Sequence, residues 1–79
     1  MNFVFSKHAL EQMELRGISK TVVEQILENP LQTREEDGIK IYQSIVDNYL
    51  IRIFVNENKD PKLIITVYKT SKIKKYNEG

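Results

Sequence analysis

The sequence predicts an α+β fold in which two amino-terminal helices pack on a four-stranded antiparallel sheet. Three observations carry that expectation. Apolar side chains between residues 7 and 28 recur at helical spacing. After Pro30 the apolar period changes to two. Two short turn signals, Asp37-Gly38 and Asp47-Asn48, then separate the alternating runs. Strands joined by such tight turns must be antiparallel, and helices that precede them cover one face.

Each element has its own local justification. Ser6 is suited to cap a first helix over about residues 7–16, with Ala9, Leu10 and Met13 as its apolar stripe. Gly17 is placed to end it in a left-handed turn. Ser19 caps a second helix, and Ile18 with Val23 has the spacing of a hydrophobic staple. Val22, Val23, Ile26 and Leu27 face the core, and Asn29-Pro30 stops the helix. Gln32–Glu36 is a polar strand candidate, Ile39–Val46 and Tyr49–Asn56 are the central strands, and Leu63–Thr70 is the last. Residues 71–79 read as a loose tail or short helix.

The 79 residues, 1–79, suffice for one small domain. There is no cysteine, so neither a disulfide nor a thiolate metal site is available, and one histidine argues against a metal cluster. No metal and no cofactor is expected. The opening residues lack a basic start, and no apolar run is long enough to cross a membrane. A soluble, cytoplasmic protein is the expectation. The net charge of +1 conceals an asymmetry. Residues 1–38 carry four Lys/Arg against seven Asp/Glu, whereas residues 39–79 carry eight against four. Such a basic end is either a solvated tail or a local surface for an anionic ligand.

A two-residue turn at Asp47-Asn48 pairs Val46 with Tyr49, Ser44 with Ile51 and Gln43 with Arg52. Ile51, Ile53, Val55, Ile65 and Val67 are then assigned to the helix-covered core. Arg52, Thr66 and Tyr68 share the open face with Ile39, Ile41, Ile45, Leu50 and Phe54. So large an apolar patch is uncommon on a monomer, so either this register is wrong or a protein partner or a second copy covers this face.

The polar residues of the first helix are the most informative. At 100° per residue, His8, Gln12 and Arg16 fall at about 0°, 40° and 80° and form one wedge beside the apolar stripe. An imidazole can give or take a proton near neutral pH. The Arg16 and Arg52 guanidinium groups can grip a phosphate by paired hydrogen bonds, and Thr66 and Tyr68 offer hydroxyls on a strand. Metal-independent RNA cleavage needs these parts: a base for the 2′-hydroxyl, donors for the charged phosphorane, and an acid for the leaving oxygen. The alternative for each is plain structure: an exposed histidine, an Arg52 paired with Gln43 across the sheet, and ordinary strand-forming Thr66 and Tyr68. No serine triad and no glycine-rich phosphate loop is present.

The segment Phe5-Ser6-Lys7-His8-Ala9-Leu10-Glu11-Gln12-Met13-Glu14-Leu15-Arg16-Gly17-Ile18-Ser19 resembles the opening of a bacterial family of small domains of unknown function. Leu50–Val55 and Ile64–Lys69 resemble its later strand motifs. The family is grouped with the barnase, EndoU, colicin and RelE-like superfamily. The resemblance implies a RelE-like domain of two helices and a four-stranded antiparallel sheet. It also implies a metal-independent endoribonuclease toxin encoded beside an antitoxin, with RNA and that antitoxin as partners. The matching positions are His8, Arg16, Arg52, Thr66 and Tyr68. Gln12 stands where the family usually has arginine, which removes one cation. Lys69, Lys72 and Lys75 are the expected holders of the RNA backbone. A non-catalytic RNA- or protein-binding module of the same fold is the alternative, as is an inactive member kept for partner binding.

Overall fold

The computed structural model describes residues 2–76, with side chains through residue 74. In chain order the elements are β1 (Phe3–Phe5), α1 (Lys7–Arg16), α2 (Lys20–Glu28), β2 (Gln32–Glu36), β3 (Ile39–Val46), β4 (Tyr49–Asn56), β5 (Lys62–Thr70) and α3 (Ile73–Tyr76). The strands form one sheet in the order β1-β5-β4-β3-β2.

Local chemistry accounts for the helix ends. The Ser6 hydroxyl accepts the Ala9 N–H at 2.9 Å, satisfying an amide that the first turn leaves without a partner. Gly17 adopts φ +67° at the end of α1. Its N–H then donates to the Glu14 carbonyl while the Ile18 N–H donates to the Met13 carbonyl at 2.8 Å. This is a Schellman closure, and its two hydrophobic partners, Met13 and Ile18, are both in the core. Ser19 accepts from the Val22 N–H at the start of α2. Both hairpins turn through two residues of positive φ: Asp37 and Gly38 at 51° and 80°, Asp47 and Asn48 at 50° and 67°. Turns of that hand match the twist of the strands they join.

The turns set the register, with Val46 opposite Tyr49, Ser44 opposite Ile51 and Gln43 opposite Arg52. α1 and α2 therefore bury Tyr42, Ile51, Ile53, Val55, Ile64 and Val67 beneath Ala9, Met13, Val23, Ile26 and Leu27.

Three expectations are corrected. First, the sheet has five strands and is mixed, not four-stranded and antiparallel, because β1 runs parallel to β5 with Phe3, Val4 and Phe5 opposite Lys62, Leu63 and Ile64. Three residues carry no readable periodicity, and their partner lies at the far end of the chain. Second, Ile64 and not Ile65 fills the core. The register shifts between Phe54 and Val55, so that Thr66 faces Phe54 while Ile64 faces Val55. Ile65 is the extra residue of a bulge, which resets the alternation of β5. Third, two of the five apolar residues assigned to the face away from the helices do not reach its surface. Ile41 and Leu50 are 1% and 0% exposed, and only Ile45 among its aliphatic residues is largely open. Ile41 lies between Arg34 and Phe54, and Leu50 between Ile45 and Thr70.

A polar cluster closes the end of the sheet near β1. The Tyr42 hydroxyl donates to the Glu57 carboxylate, Lys62 approaches that carboxylate at 3.5 Å, and Phe3 packs edge-on against the Tyr42 ring. Burial, the bond to Glu57 and its charge all hold the Tyr42 hydroxyl protonated well above its ordinary range. For Glu57, burial works to raise the pKa, but the Tyr42 hydroxyl, Lys40 and Lys62 outweigh it and hold the carboxyl below its usual range. A carboxyl so lowered stabilises the fold above the unfolded-state pKa and loses that contribution as pH falls through the folded-state value. Glu57→Gln keeps an acceptor for Tyr42 but removes the charge. It should cost about 1–2 kcal/mol at pH 7, and the gap from wild type should be smaller at an acidic pH below the lowered folded-state value of Glu57. Urea midpoints at the two pH values measure this; an equal gap at both would exclude the carboxylate charge as its source.

Candidate functional site

The site is built where α1 meets the outer edge of β5. β1 covers that edge only as far as Ile64, and α1 takes over from there. The Ser6 hydroxyl donates to the Ile65 carbonyl at 2.8 Å. One turn short of the far end of α1, Gln12 accepts from Arg16 Nε at 3.2 Å, while Arg16 Nη1 reaches the Lys69 carbonyl at 3.4 Å. Lys69 Nζ returns to the Arg16 carbonyl at 3.4 Å. Two carbonyls on the outward side of β5, four residues apart, are thus bound by the two ends of α1. Val67 lies between them, and strand alternation turns its peptide group to the same side.

With the helix held there, its polar wedge reaches past the sheet edge to the face opposite the core. A cavity of about 490 Å³ opens between the two, lined by His8, Gln12 and Arg16 from α1, Arg52 and Phe54 from β4, and Thr66, Val67 and Tyr68 from β5. All five residues expected at the site, His8, Arg16, Arg52, Thr66 and Tyr68, line this one cavity.

Their environments differ. Arg52 is only 8% exposed, in the middle of the sheet. Its Nε donates to Gln43 Oε1 at 3.1 Å, and Gln43, fully buried, donates through Nε2 to Gln32 Oε1 at 3.0 Å. The pairing of Arg52 with Gln43 and the placement of Arg52 at the cavity therefore coexist. Gln43 takes the Nε edge and fixes the plane of the guanidinium. The Arg52 guanidinium carbon lies 5.3 Å from the centre of the Phe54 ring, and that of Arg16 lies 5.3 Å from the centre of the Tyr68 ring. Thr66 and Tyr68 are half-buried neighbours on β5, opposite Phe54 and Arg52. His8 is exposed at the first turn of α1, and its ring makes no hydrogen bond among the described residues. No group of three His, Asp or Glu side chains that could hold a metal ion occurs among the described residues.

The lysines do not gather at the cavity. Lys69 points to the helix side of the sheet, where Nζ contacts the Arg16 carbonyl and sits 4.5 Å from the centre of the Tyr49 ring. Its charge belongs to the clamp between α1 and β5. Lys72 is exposed beyond the end of β5, and the Lys75 side chain lies outside the described residues. Sequence reasoning put Phe54 on the open face and paired Gln43 with Arg52, but gave neither a place in the site and did not find the bond from Gln43 to Gln32. The signal for Gln43 was present: a neutral polar residue inside the apolar run Ile39–Val46, directly opposite the one arginine of β4.

Chemically, the arrangement offers two guanidinium groups, one exposed imidazole, two hydroxyls and two aromatic rings around a space of ligand size. No carboxylate lines it. It suits an anionic ligand with a planar apolar part. No helix among the described residues is long and apolar enough to cross a membrane. No curated protein and no solved structure shows a significant match to the chain. Residues 5–69, most of the chain, match the family described as Domain of unknown function (DUF4258), and the protein belongs to that family.

Proposed function

We propose that the protein is a metal-independent endoribonuclease of the RelE-like kind, acting in the cytoplasm as the toxin of a toxin–antitoxin pair. The observation that carries this reading is the shared cavity of His8 and Arg16 with Arg52, Thr66 and Tyr68, brought together from the two ends of the chain. Cleavage would proceed by attack of a ribose 2′-oxygen on the adjacent phosphorus. A bond from phosphorus to that oxygen forms and the bond to the 5′-oxygen breaks, leaving a cyclic phosphate. His8 serves as the base that takes the 2′-hydroxyl proton or the acid that protonates the 5′-oxygen, and solvent water takes or supplies the other proton. Arg16 and Arg52 hold the phosphate and meet the charge that grows on its oxygens. Thr66 and Tyr68 orient it by hydrogen bonds. Gln43 is a positioning residue, since it acts on the phosphate only through Arg52. The cognate antitoxin is the expected protein partner.

One observation favours a second reading, a non-catalytic RNA- or protein-binding module. The His8 ring has no neighbour among the described residues that would fix its tautomer, as catalytic imidazoles usually have. Cleavage separates the two readings. Induction of the wild type should arrest growth and degrade cellular RNA, while His8→Ala should do neither; the purified variant should cleave roughly 10²–10⁴ times more slowly. A wild type that leaves growth and RNA intact would overturn the toxin reading. Equal activity in His8→Ala would remove His8 from the mechanism.

A second measurement addresses Gln43. Gln43→Leu keeps a side chain of similar bulk but leaves Arg52 Nε without its acceptor. Cleavage should fall by roughly ten-fold or more, as for a displaced charge-stabilising donor. Most of the loss should fall on kcat, because the guanidinium remains in the cavity but is misaligned for the transition state. An unchanged kcat would show that Gln43 does not position Arg52.

A further inference from the structure

Phe54 has no part in the chemistry just described, yet it lines the same cavity. It also differs from two apolar residues of its own face of the sheet. Ile41 and Leu50 there are closed off at 1% and 0% exposure, while Phe54 stays half-exposed with its ring in the cavity wall. Its neighbours are Arg52, two residues back along β4, and Thr66 across the strand pair. Two residues along a strand are separated by roughly 6–7 Å. A phosphate held by Arg52 would therefore leave the flat group attached to it, across one sugar, at the level of the Phe54 ring. The cavity of about 490 Å³ is of the size that takes a small ligand of this kind.

We infer that Phe54 is a stacking platform for a nucleobase, so that the cavity selects an unpaired nucleotide of RNA and rejects a base-paired one. The inference rests on the RNA reading of the cavity and adds the form of the substrate to it. Every base has an aromatic face, so a phenyl platform recognises single strands with little regard to sequence. In a duplex both faces of a base are already stacked on its neighbours, and the platform has nothing to bind. The Arg52 guanidinium beside the ring adds a cation to the same stack, a pattern suited to nucleotide recognition. Tyr68, with Arg16 at its ring, repeats the pairing across the cavity.

The chain contains no tryptophan, so Phe54→Trp introduces a single indole reporter at the cavity. The probe is a short unstructured oligoribonucleotide with 2′-O-methyl groups, which removes the attacking hydroxyl. Its single-stranded form should quench the indole and saturate, and the same strand annealed to its complement should bind at least about ten times more weakly. By anisotropy of the labelled strand, Phe54→Leu should bind about ten-fold less tightly than wild type, the scale of one lost base stack. A silent indole, or equal affinity for single strand and duplex, would overturn the inference. So would wild-type affinity in Phe54→Leu; should that variant fail to fold, the tryptophan titration decides. Unmodified RNA tells the two readings apart. Cleavage with no dependence on Phe54 sinks the stacking platform and leaves the ribonuclease; Phe54-dependent single-strand binding without cleavage does the reverse.

Discussion

Arg52 places a permanent positive charge inside a β-sheet, where only 8% of its surface reaches solvent. A buried ion without compensating partners costs several kcal/mol, so this one side chain constrains much around it. Gln43 must stand opposite with its carbonyl toward Nε, and Gln32 must take up the other end of that amide. These three residues lie on adjacent strands, and their alignment requires the register in which Gln43 faces both. A slip of one residue would turn Arg52 into the helix-covered core and expel Ile51 and Ile53 from it. The two positive-φ turns, at Asp37-Gly38 and Asp47-Asn48, fix the register locally. Apolar burial on one face and charge satisfaction on the other then reinforce the same alignment. The cation at the cavity is thus part of what specifies the sheet.

The other half of the cavity depends on how a sheet edge is covered. An open strand edge invites pairing with other chains. Here β1 covers the first part of β5, and α1 covers the rest through Ser6 and Arg16. Arg16 therefore has two roles: one nitrogen satisfies a strand carbonyl, while the guanidinium carbon lies 5.3 Å from the centre of the Tyr68 ring. The bulge at Ile65 belongs to the same arrangement. Regular alternation would put Ile64 and Val67, three residues apart, on opposite faces. The bulge lets both sit in the core while Thr66 and Tyr68 face the cavity.

What was legible in the sequence follows from where each signal resides. Caps, a left-handed glycine and two-residue turns are written within four or five consecutive residues, so both amino-terminal helices and both hairpins could be read. The strand phase around Asp47-Asn48 followed from the turn, and with it the shared face of Arg52, Thr66 and Tyr68. β1 was not legible, because a three-residue parallel pairing with a segment about sixty positions away has no local signature. Neither was the bulge: Ile64 and Ile65 are equally apolar, so the pattern could not say which faces inward. Lys69, expected to hold the RNA backbone, lies by its strand phase on the side of Ile51. The meeting of the two halves of the site was only partly legible. Helical spacing put His8, Gln12 and Arg16 on one stripe, but their reach past the sheet edge depends on the long-range bonds of Ser6 and Arg16 to β5.

Gln12 bears on how a chain of net charge +1 can still present a cation site. An arginine at position 12 would stand one turn from Arg16 with no carboxylate in the cavity wall to offset it. The neutral amide instead accepts from Arg16 Nε and holds that guanidinium toward Tyr68. Relative to an arginine there, the glutamine forgoes one charge and takes a hydrogen bond from another. Screening makes the exchange less costly than the net charge implies. At about 0.1 M salt, exposed charges more than about 10 Å apart barely act on one another. The charged residues that line the cavity are Arg16 and Arg52, with no carboxylate among them. Glu57 is already engaged by Tyr42 and Lys62 at the other end of the sheet. Local composition, not the sum over the chain, is the electrostatic quantity that bears on what this cavity binds.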